Sequence, residues 1–80
     1  MSDPKPFSKP ITVEIGGESR TVATVQEASE ILSSTDWPDA GPLHRDALGT
    51  CMKVVDGHRS TVEAEEAFTQ AAREAGLLRP

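Results

Sequence analysis

Cys51, His44, His58 and Trp37 are the residues of this chain best suited to chemistry. A thiol nucleophile works as the thiolate and needs a base within about 3 Å. His44 and Cys51 stand seven residues apart on one predicted helix. Seven residues are roughly 10 Å of helical rise, so the two side chains cannot touch within that helix. Cys51 also falls between Leu48 and Val55, where an apolar setting keeps a thiol protonated and inert. His44, Cys51 and His58 form the soft metal-ligand set, but closed zinc sites want four ligands in two close pairs, and these spacings do not provide them. No metal site, cofactor or catalytic residue is therefore expected. Trp37 precedes Pro38, which pushes it toward an extended conformation. A large ring beside a stiff corner either plugs a gap between helices or stacks on a ligand, and the packing role is the expectation. Glu63, Glu65 and Glu66 read as a solvated first turn favoured by the helix dipole. Gly16-Gly17 lacks the helix and lysine that a phosphate-binding loop requires.

The bulk properties narrow the partners. Thirteen Asp and Glu against eight Lys and Arg give a net charge of -5, and an acidic field repels phosphate backbones. Phe7, Trp37 and Phe68 are the only aromatic side chains, too few for a base-stacking platform. Nucleic acid is thus not an expected partner. No apolar run is long enough for a membrane span, and the first ten residues lack the apolar region of a signal peptide. A single cysteine offers no disulfide framework and suits a reducing compartment. The expectation is a cytoplasmic protein with no membrane partner.

Several elements must position these residues. Met1 to Lys9, with Pro4 and Pro6, read as a flexible arm, and residues 10–80 as one domain. Ile11, Val13 and Ile15 alternate with polar residues, the signature of a half-buried strand. Gly16-Gly17 turns the chain, and Val22 marks a returning strand up to Thr24. A loop over Gly16 to Ser19 predicts Val13 opposite Val22 and Ile15 opposite Arg20. Such a hairpin has two open edges and one apolar face that helices must cover.

Thr24 and Glu27, like Ser60 and Glu63, stand at capping-box spacing. The first predicts a helix from Val25 to Ser34 with Val25, Ala28, Ile31 and Leu32 inward. Pro42 suits a helix start, and Leu43, Ala47, Leu48, Cys51, Val54 and Val55 form an apolar stripe up to a cap at Gly57. Arg45, Asp46, Thr50 and Lys53 fall on the wet side of this middle helix, read as the packing keystone. The third helix turns Ala64, Ala67, Phe68, Ala71 and Ala75 inward and stops at Gly76, with Leu77-Leu78 folding back as the cap contact.

Trp37-Pro38, then His44, Ala47 and Cys51, then Gly57, Ser60, Ala64, Ala67-Phe68, Ala71-Ala72 and Ala75-Gly76 resemble the pattern of the domain of unknown function 982 family, small bacterial proteins common in rhizobia and their relatives. The strand pair and Val25-Gln26-Glu27-Ala28 fit as well, so the resemblance runs from about Phe7 onward. It implies a compact α+β domain and supplies no catalytic residues.

The expected architecture is α+β, an N-terminal antiparallel β-hairpin packed against three α-helices in the order ββααα. The expected function is a protein-interaction or regulatory module, with a protein partner or a second copy of itself. The alternative is a small-ligand binder or thiol-dependent enzyme built around Trp37, His44 and Cys51. Trp37, His44 and Arg45 are the candidate binding residues. The surface from Asp39 to Arg45 and the hairpin edge are where a partner is expected.

Overall fold

The computed structural model describes residues 5–38 and 41–79. Strand β1 spans Pro6–Ile15 and β2 spans Glu18–Thr24; helices α1, α2 and α3 span Val25–Leu32, Pro42–Val55 and Thr61–Glu74. This is the expected antiparallel hairpin followed by three helices, an α+β layout. Among the described residues no helix is long and apolar enough to cross a membrane.

The hairpin turn is tighter than the sequence reading. Only Gly16 and Gly17 form it, with φ of 62° and 78°. Two consecutive residues at positive φ make the two-residue turn whose twist matches the strands. Ile15 then faces Glu18, Val13 faces Arg20 and Ile11 faces Val22, so the expected pairings of Val13 with Val22 and Ile15 with Arg20 are each shifted by two residues. Val13, Ile15 and Val22 still share the buried face, because a shift of two preserves the pleat.

Strand β1 begins at Pro6, inside the stretch read as an arm, and Phe7 lies in the core. The register breaks between Pro6 and Ile11, a bulge that accommodates Pro10, which has no N–H to give to the ladder. Glu65 holds this bulge. Its carboxylate accepts from the Ser8 N–H at 2.7 Å, from the Ser8 hydroxyl and from the Lys9 N–H at 3.4 Å. Expected as a merely solvated residue, Glu65 instead ties α3 to β1.

The helix starts follow their caps. Glu27 N–H donates to Thr24 Oγ1 at 3.1 Å, and the Glu27 carboxylate reaches back one residue beyond the cap to the Ala23 N–H. At α3 the reciprocal Ser60–Glu63 box is complete. Helix α1 ends at Leu32, two residues short of the expected Ser34. Gly76, at φ 73°, lets α3 end in a left-handed residue, with Leu77 N–H donating to Ala72 O at 2.9 Å, the bond that closes a Schellman motif.

That cap sends the chain back over the sheet. Leu78 bridges Val13 in antiparallel fashion, Glu14 N–H donates to Leu77 O, and Arg79 N–H donates to Thr12 O. An Arg79–Glu14 ion pair closes the contact. Residues 77–79 therefore cover the outer edge of β1 from Thr12 to Glu14, so the expected second open edge is closed over that stretch.

Helix α1 packs on β2 and α3 packs on β1, while α2 rests on α1 and α3. Phe68 of α3 is the largest fully buried side chain. The keystone is thus α3 rather than the middle helix, since α3 packs on β1 as well as on both other helices. Val55, expected in the α2 stripe, is 42% exposed, whereas Ala72, which the α3 pattern passed over, is fully buried.

Candidate functional site

The three aromatic side chains and His44 form one row through the molecule. The Trp37 ring lies 5.2 Å from the His44 ring and 6.2 Å from Phe68, and Phe68 lies 6.3 Å from Phe7. All these pairs are tilted, as aromatic quadrupoles prefer. The row links the α1–α2 connector, α2, α3 and β1, and Trp37 is only 7% exposed. The helix end places it there: Ser34 Oγ accepts from Asp36 N–H, and Trp37 N–H donates to Ser34 O.

His44 faces the end of α1. Its Nε2 meets the carbonyl oxygen of Leu32, and a carbonyl can only accept, so Nε2 carries the proton. The last carbonyls of a helix have no partner within it. His44 therefore closes α1 from a neighbouring helix while its ring packs against Trp37.

Cys51 is fully buried on α2, and burial pushes its thiol up to about 11. Desolvation opposes the thiolate, the form that a nucleophile or metal ligand uses. His58 is exposed, two residues past the α2 cap at Asp56. Among the described residues no group of three His, Cys, Asp or Glu side chains is arranged to hold a metal ion.

Arg45 goes elsewhere. It is exposed and lines an open groove of about 640 Å³ between α2 and α3, opposite Glu66 and Gln70. Gly49 and Ala67 keep the groove shallow-walled: a Cβ at Gly49 would meet nothing within 4 Å. At its far end Arg59 pairs with Glu63 at 2.8 Å. That bond, then the Ser60 N–H, holds the Glu63 carboxyl below its usual range. The structure thus brings Trp37 and His44 together and leaves Arg45 on another face. Asp39, at the start of the expected partner surface, lies outside the described residues.

A smaller cavity of about 270 Å³ opens where β2 meets α1, between Arg20, Glu18, Glu30 and Asp36. Sequence reasoning pointed to the hairpin edge but not to which strand carries it. The missed signal was Leu77-Leu78, two apolar residues after a glycine stop, read as a cap contact alone.

A family model described as protein of unknown function (DUF982) matches residues 9–79, nearly the whole chain, and the chain belongs to that family. No curated protein and no solved structure matches it significantly.

Proposed function

We propose that this domain is a non-catalytic interaction module of the cytoplasm, which engages a protein partner by strand addition at β2. The observation that carries the reading is the asymmetry of the sheet: the Thr12–Glu14 stretch of the β1 edge is occupied by the chain's own residues 77–79, and among the described residues no strand pairs with the outer edge of β2. An exposed edge with unpaired backbone groups is a ready template for another strand. The residues that chemistry would recruit support the same view from the other side. Trp37 is wedged between rings, His44 closes a helix, and Cys51 is buried as the thiol.

Affinity capture with the wild-type domain and with Thr21→Pro tests this. Proline removes one edge N–H and is tolerated on an edge strand. A partner held by the wild type and lost by Thr21→Pro, at unchanged thermal stability, is the expected result. Partners bound equally by both chains would overturn strand addition. Native-state alkylation of Cys51 by iodoacetamide would turn the reading toward thiol chemistry.

A further inference from the structure

Which backbone groups lie bare on β2 follows from the ladder. Glu14 and Thr12 turn their N–H and C=O outward, to Leu77 and Arg79. Their register partners across the hairpin are Ser19 and Thr21. In an antiparallel pair both residues turn their backbone groups toward each other, or both turn them away. Ser19 and Thr21 therefore present theirs on the opposite edge. Ala23 comes next in that row, but its N–H is already taken by the Glu27 carboxylate at 3.2 Å. The open part of the edge is its hairpin-tip half.

Charge then selects an occupant. Glu18 and Arg20 flank Ser19, are exposed, and share one face because they are two residues apart. The ion pairs among the described residues are Arg59–Glu63 and Arg79–Glu14, so Glu18 and Arg20 are in no ion pair there, although Glu30 and Asp36 of the same chain line the cavity beside them. A strand that reads acid, small, base in one direction is complementary to itself in the other.

On the reading of β2 as an interaction edge, we propose that its partner is a second copy of this chain, paired β2 to β2 in antiparallel fashion about a twofold axis through Ser19. Ser19 then exchanges both backbone bonds with Ser19 of the second copy. Arg20 of each copy faces Glu18 of the other, so two ion pairs form per dimer. Centring on Arg20 instead would oppose like charges, which is unfavourable between facing residues. Centring on Thr21 would call on the Ala23 N–H that Glu27 holds. The two hairpins then join through the short Glu18–Arg20 segments, with Thr21 of each copy facing the Gly17 turn of the other.

Sedimentation velocity between about 10 μM and about 1 mM reads the association. The wild type is expected to shift from monomer to dimer across that range. Arg20→Glu turns both attractive pairs repulsive and weakens association roughly tenfold or more. Glu18→Arg does the same. Mixing the two singly substituted chains restores complementarity, and they are expected to associate with each other and not with themselves. A wild type that stays monomeric, or a dimer indifferent to these charges, overturns the proposal. A monomeric chain that still captures a partner lost by Thr21→Pro would refute self-pairing alone and spare the interaction reading. Failure of both would remove both.

Discussion

Replacing Trp37 by alanine separates a packing role from a ligand-stacking one. The ring is 7% exposed and has a ring neighbour on two sides, at 5.2 Å and 6.2 Å. Truncating a buried aromatic of this kind costs about 3–5 kcal/mol, part of it from the cavity left behind. Each lost ring pair adds about 0.5–1.5 kcal/mol beyond its buried area. An 80-residue domain has only about 4–12 kcal/mol in total. Trp37→Ala should therefore remove a third or more of the stability and lower Tm by more than about 12 °C. Trp37→Phe, which keeps a ring in the row, should lose less than half as much. Urea unfolding followed by far-UV circular dichroism is the assay, since the tryptophan signal is gone. Coupling to His44→Ala in a double-mutant cycle should reach about 0.5–1.5 kcal/mol. A loss under about 1 kcal/mol at unchanged m-value would refute the reasoning, because a ring that holds the core together cannot leave it so cheaply.

The other predictions are smaller and cleaner. Gly49→Ala should stabilise the domain by about 1 kcal/mol, since the site is interior to α2 and open to a Cβ; a thermal melt checks it. Ser60→Ala should cost about 0.5–2 kcal/mol by removing the α3 cap, read in the same way. Glu63 is held below its usual range, so its contribution is present above the unfolded carboxyl pKa of about 4.3 and is lost as pH falls through the lower folded value. An acid titration of Glu63→Gln should lack that step. Cys51 works in the opposite direction: its thiol rises from 9.0 to about 11. Its contribution is complete below the lower value and is lost as pH climbs through the higher, on the order of 2–3 kcal/mol. Urea melts at mildly and strongly alkaline pH should show that loss in the wild type and not in Cys51→Ala.

Local chemistry made much of this fold readable. Both capping pairs, the glycine stops and the inward residues of α1 are written in short-range patterns, and short-range patterns are what periodicity and capping report. The errors sit where distant parts of the chain decide. A loop from Gly16 to Ser19 satisfied the sequence, but the strand twist selects two glycines at positive φ. Val55 continues the apolar spacing of α2, yet Val54 takes the inward position of the same last turn and Val55 is turned away from the core. Glu65 looked solvated because its partners, Ser8 and Lys9, are more than fifty residues away. At the candidate site, the burial of Cys51 was foreseeable from its apolar neighbours. The placing of His44 beneath the Leu32 carbonyl was not, since it depends on the crossing of two helices. Arg45 was grouped with Trp37 and His44 through nearness in sequence, and helical geometry sends it to the other side of α2.

The return of residues 77–79 to β1 also sets an order of events. Val13 and Leu78 are 65 positions apart, so this pairing closes a long loop, and such contacts are slow to form. The β1–β2 hairpin is local and can zip up within microseconds. During synthesis, then, the hairpin exists for a time with β1 uncovered, until the last turn of α3 has formed and Gly76 has redirected the chain. The newborn domain is two-edged and prone to aggregate in that interval. Slowing the formation of α3 would lengthen the exposure, even where the finished fold is just as stable.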